Sequence, residues 1–105
     1  MGKYNVEIAE VALSLLDNHL RFLANVSVNA AYKLNKDIFA KIDTLEDNPL
    51  QYPVWQTHLE LPREYRRAVV NKQFLIVYFI DGSKVFVDYI FNGSMDNSRF
   101  VKHIE

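Results

Sequence analysis

The sequence predicts an α+β domain of order β-α-α-β-β-β with a short C-terminal helix. A helical hairpin should pack on one face of a four-stranded, mostly antiparallel sheet. Three observations predict it. The stretch YRRAVVNKQFLIVYFIDGSKVFVDYI, Tyr65 to Ile90, holds three β-patterned runs separated only by turn signals. Two apolar stripes at helical spacing stand in front of it. The chain opens on a strict alternation, Tyr4, Val6 and Ile8 against Asn5 and Glu7, which reads as a half-buried strand.

Each element follows from its own pattern. Ala12, Leu15, Leu16, His19, Phe22, Leu23 and Val26 form the first helical stripe, with Glu10, Asp17, Asn18 and Arg21 elsewhere on the cylinder. Asn25 and Ser27 are suited to end this helix and cap the next. The second stripe is Ala31, Leu34, Ile38, Ile42 and Leu45, and it stops at Asp47-Asn48-Pro49, because a residue before proline avoids the helical region. So short a link makes the helices antiparallel. Residues 48–62 hold Pro49, Pro53 and Pro62 in a long irregular connection. Trp55 there either pins the loop to the core edge or offers an aromatic to a partner. Strands are expected at Arg66–Val70, Phe74–Ile80 and Val85–Phe91. The run FLIVYFI suits a central strand covered on both faces. Leu34, Ile38, Ile42, Leu75, Val77 and Phe79 are expected to line the helix–sheet core, and Ser94 to cap the final helix through His103.

With 105 residues the chain is long enough for one domain, residues 1–105, and too short for two. The absence of cysteine excludes disulfides, thiolate metal sites and a cysteine nucleophile. No phosphate-loop motif and no paired-histidine motif occurs, so no cofactor and no metal is expected. Asp81 and Asp88 read as turn and surface residues. The N-terminus lacks a signal-peptide core, Val6 stands where a myristoylation signal needs Ser or Thr, and no apolar run approaches about 20 residues. A cytoplasmic protein without membrane contact is expected.

Net charge is −1, which argues against nonspecific attraction to nucleic acid. Its distribution is uneven: residues 1–61 carry 5 Lys/Arg against 8 Asp/Glu, and residues 62–105 carry 7 against 5. The excess gathers at Arg63, Arg66, Arg67 and Lys72. These are either solvated cations or a small basic patch for a phosphate backbone or an acidic partner.

Read in order, YNVEIAEVA, HLRFLA, DTLEDNPLQYP, YRRAVV, LIVYFIDGSKVFVDYI and NGSMDN resemble the RelE/ParE superfamily of toxins from bacterial type II toxin–antitoxin systems, over almost the whole chain. The resemblance implies a compact cytoplasmic toxin, of the kind linked to plasmid stabilization, neutralised by a cognate antitoxin. The RelE branch cleaves mRNA on the ribosome, using cations to hold the scissile phosphate. Its first basic position falls near Arg66. Its next meets Ala68, its central-strand arginine meets Leu75, its basic cluster meets Asn92 to Asp96, and its terminal tyrosine meets Phe100. The nuclease set is thus mostly missing.

The tail NGSMDNSRF looks closer to the ParE branch, although Asn92 and Ser94 replace its usual histidine and arginine. That branch implies inhibition of DNA gyrase by binding, without catalysis. The alternatives are a ribosome-dependent mRNA endonuclease, or a non-toxic member acting only as a protein-binding module. A nuclease would need a rearranged site from Arg63, Arg66, Arg67, Lys72 and Arg99. Arg66, Arg67 and Trp55 are the candidate partner-binding residues, with acidic antitoxin residues meeting either arginine and apolar anchors lying beside the hairpin. His19 reads as a packed histidine. Neither it nor His58, in the proline-rich loop, is close in sequence to the basic strand, and His103 is near the terminus.

Overall fold

β1 (Asn5–Ile8) leads directly into α1 (Glu10–Ala24), then α2 (Val28–Asp43), β2 (Arg66–Val70), β3 (Phe74–Asp81) and β4 (Lys84–Asn92). The computed structural model describes residues 3–56 and 60–93, and the helix expected over Ser94–His103 lies outside the described residues. Sheet order is β1-β4-β3-β2. β1 pairs parallel with β4, and the other two pairings are antiparallel. The parallel pair forces a crossover, and the α1–α2 hairpin supplies it.

Ser27 caps α2, its hydroxyl accepting from the Ala30 N–H at 3.1 Å. The second helix ends at Asp43 and a 3-10 turn, Thr44–Glu46, carries the chain on, so its stop falls slightly before the predicted one. A second such turn, Pro49–Gln51, starts the proline-rich connection. The Tyr78 hydroxyl donates to the Pro49 carbonyl, and Thr44 and Tyr52 share a hydrogen bond of 2.7 Å between hydroxyls. Two aromatic residues thus tie the connection to the helix-covered face.

The main core lies between hairpin and sheet, with Leu34, Ile38, Ile42 and Leu45 meeting Ala68, Val70, Ile76, Tyr78, Val85, Val87 and Ile90. Two expectations need correction. Leu75, Val77 and Phe79 lie on the opposite face, with Tyr65, Tyr89, Phe91, Trp55, Leu61 and Leu15. An all-apolar strand offers no polar alternation, so its parity is unreadable from sequence alone. Phe22 and Val26 are exposed, not part of the buried stripe. On α1 the residues packed into the main core are Ala12, Leu16, Leu20 and Leu23, at spacings of four, four and three. Phe22 sits about 100° round the helix from Leu23, and Val26 lies in the link.

Alternation also breaks inside β4. Val77 pairs Tyr89, but Tyr78 pairs Val87, leaving Asp88 as the extra residue of a bulge. Val85 and Val87 therefore share the helix-covered face with Ile90 rather than with Tyr89. Three residues, 71–73, join the paired Val70 and Phe74, and Asn71 and Lys72, at φ 54 and 61, are the doubly left-handed centre of a turn closed by the Gln73 N–H donating to the Val70 carbonyl at 3.1 Å.

Ile38 is fully buried, and Ile38→Ala should cost about 2–5 kcal/mol in chemical denaturation. Lys72 takes a left-handed backbone that costs a side-chain-bearing residue about 1 kcal/mol, and the turn type favours glycine second. Lys72→Gly should therefore raise the denaturation midpoint.

Candidate functional site: a notch at the sheet edge

β2 starts at Arg66, opposite Tyr78, whereas β3 continues to Asp81. Before Arg66 the chain leaves β3, and residues 53–55 pair along the outer side of the start of β2. Val54 bridges Arg66, the Trp55 N–H donates to the Tyr65 carbonyl, and the Arg67 N–H donates to the Pro53 carbonyl. β3 thus outruns its neighbour, and the step forms a cavity of about 380 Å³ lined by Leu50, Arg63, Glu64, Arg66, Phe79, Ile80 and Asp81.

Both arginines in this notch are held in place. The Arg63 guanidinium lies 4.5 Å from the centre of the Phe79 ring, a cation–π contact. Arg66 Nη1 donates to the Tyr52 carbonyl at 2.7 Å. Among the described residues neither guanidinium forms an ion pair; the pairs formed are Arg21–Asp17, Lys33–Asp37 and Lys84–Glu7. Glu64 and Asp81 stand exposed at the rim, and Asp81, expected as a turn residue, is the last residue of β3, paired with Lys84 across the turn it flanks.

The other candidate cations do not join them. Ala68 and Val70 face the main core, so Arg66 shares their side of β2, and Arg67 projects oppositely with Val69. Lys72 sits in the turn at the far end of β2. Arg99, His58, His103 and Phe100 lie outside the described residues. Leu75, at the position of the nuclease's central-strand arginine, packs in the second-face cluster. Trp55 is half-buried in that cluster, which fits the loop-pinning reading. His19 packs edge-on against Phe74, 5.5 Å between ring centres, and burial holds its pKa below the ordinary imidazole value.

One polar pair was not anticipated. The Tyr65 hydroxyl donates to Asp88 Oδ2 at 2.8 Å across the second face. Asp88 is therefore not a simple surface residue: the bulge turns it onto the aromatic cluster. Burial, and after it the Asp88 carboxylate, pushes the Tyr65 phenol above its usual range. Burial does the same to Tyr78. The signal in the sequence was the aspartate inside an apolar strand.

Among the described residues no group of His, Asp and Glu side chains is arranged to hold a metal ion, and no helix is long and apolar enough to cross a membrane. Residues 6–97 match the family model described as the ParE toxin of type II toxin–antitoxin system, parDE. The chain belongs to the ParE toxin family. No curated protein sequence matches it. Among solved structures, this ParE-family chain is similar to one described as the chromosomal ParDE TA system from P. aeruginosa. The TM-score is 0.69 at 14% identity, covering 86% of this chain and 96% of the other. At that identity the likeness shows the fold, two helices packed on a four-stranded sheet.

Alkaline titration tests the Tyr65–Asp88 pair. In the unfolded chain the phenol ionises near 10.0, and in the fold its pKa is raised. Its contribution is therefore complete below pH 10 and is lost as pH rises further. Tyr65→Phe should cost about 1–2 kcal/mol at pH 7 by removing the donor to a charged acceptor. It should also flatten part of the fall in stability above pH 10, leaving the shares due to Tyr78 and Tyr89, whose phenols burial also raises. Urea melts at pH 7 and pH 11 measure both effects.

Proposed function

We propose that this chain is a cytoplasmic toxin that arrests growth by binding an essential target, DNA gyrase, without cleaving message, and that a cognate antitoxin neutralises it. The observation that carries the reading is the scatter of its cations. A ribonuclease of the related branch needs several positive groups converging on one phosphate, because one arginine supplies only part of the charge stabilisation. Here Arg66 and Arg67 leave opposite faces of β2, Lys72 stands at the strand's far end, and Leu75 occupies the central-strand position. Membership of the ParE family supports the same choice of branch. Arg66 and Arg67 are the proposed antitoxin contacts by charge, and Trp55, which pins the loop with its packed side, would add to them only through the part of its ring left exposed.

Induction of the chain in a bacterial host, with and without the protein encoded beside its gene, tests the reading. Growth should stop only without the neighbour, with a DNA-damage response and intact message. Mapping mRNA 5′ ends after induction separates the branches. New codon-positioned ends that vanish in Arg66→Ala would restore the ribonuclease reading.

A further inference from the structure

The closed end of the helical hairpin carries apolar side chains that the core does not use. Phe22 is 75% exposed, Val26 78%, Val28 72% and Tyr32 72%. Phe22 and Val26 are four residues apart at the end of α1, and the Val26 and Ser27 amides still donate to the Leu23 carbonyl, so the helical path holds that far. Val28 and Tyr32 are four apart in the first turns of α2. Each pair therefore stacks along its own helix, and the short link, residues 25–27, sets the two pairs side by side.

The tip is also electrically neutral. No charged residue occurs between Arg21 and Lys33. Arg21 pairs with Asp17 at 2.8 Å and Lys33 with Asp37 at 2.6 Å, each within its own helix. A phosphate backbone or a charged peptide meets no unpaired charge between these borders, and an anionic bilayer meets none of the free cations that would hold it there. Asn18, Asn25 and Asn29 stand exposed around the apolar residues. An amide both donates and accepts, so it can bond to the same amide of another copy.

We propose that this tip is a two-fold interface between two copies of the chain. A neutral surface with an apolar centre and an amide rim is complementary to itself, as a two-fold contact requires. Aromatic side chains bury about 150–250 Å² each, so two aromatics and two valines exposed to this degree offer roughly 500 Å² per copy. Paired across a two-fold axis they remove about 1,000 Å² from water, the size at which a specific interface begins. The pairing leaves the proposed antitoxin contacts clear. α2 carries the chain 16 residues, about 24 Å, away from the tip, and only beyond it do Thr44 and Tyr52 lead to Arg66. The two Arg66 ends would point outward from the pair.

Sedimentation of the purified chain over a range of concentrations tests this, with Phe22→Asp, Tyr32→Asp and, at the other end of α2, Leu50→Asp, which is also an exposed apolar position. Circular dichroism confirms that each variant is folded. Two-copy association should appear with a dissociation constant on the order of 10 μM. Each tip variant should weaken it about tenfold or more, and Leu50→Asp should leave it within about twofold. The chain has no cysteine, so a spin label on Asn25→Cys reports one site per copy. The distance between copies should be shorter from that label than from one on Leu50→Cys. A single copy at every concentration, association unchanged by both tip variants, or a shorter distance from residue 50 would each overturn the pairing. A single-copy chain whose tip variants lose affinity for the protein encoded beside the gene would overturn it too, and would give the tip to that partner.

Discussion

β3 is buried on both faces, and the other elements are arranged to make that possible. Ile76 and Tyr78 face the helices, while Leu75, Val77 and Phe79 face the aromatic cluster. A strand of this kind cannot stand at an edge, where half its apolar surface would meet water. The hairpin covers one face. On the other, Trp55 and Leu61 come from the proline-rich connection, Tyr65 directly precedes β2, and Tyr89 and Phe91 come from β4. The Asp88 bulge belongs to the same arrangement. By adding one residue it lets β4 present valines to the helices over its first half and paired aromatics to the second face over its last, with the Tyr89 and Phe91 rings stacked 5.4 Å apart.

The departure of the chain from β2 at Arg66 links packing to function. Residues 53–55 pair with the start of β2 and bring Trp55 to the second face, while β3 runs on past that start. Arg63 and Arg66 therefore border an edge that is unpaired among the described residues, while Arg67 and Lys72, their neighbours in sequence, are carried elsewhere. Strand alternation alone separates Arg66 from Arg67.

Much of the architecture was legible in the sequence because periodicity carries it. The alternation of Tyr4, Val6 and Ile8, the Leu34–Ile38–Ile42 stripe, the Ser27 cap and the three-strand run all appear where their patterns place them. What escaped was information that the pattern does not hold. The facing of Leu75, Val77 and Phe79 could not be read from an all-apolar run, and the bulge at Asp88 reversed the parity of Tyr89 and Ile90. Phe22 and Val26 fitted a generous helical stripe but not the narrower one that packs. The site was legible only as a cluster of basic residues. Which of them share a place depends on where β2 starts relative to the end of β3, a tertiary fact with no local signature.

The parallel pairing of Asn5–Ile8 with Lys84–Val87 sets the order in which the molecule can be completed during its synthesis. The first strand leaves the ribosome with no partner, and its only neighbour in the sheet is the last strand described. The helical hairpin and the β2–β3–β4 meander are local and can form as they emerge, but closure of the sheet waits for nearly the whole described chain. Until translation has passed β4 the nascent chain therefore remains an incomplete fold, with the outer strand of its sheet waiting for the neighbour that completes it.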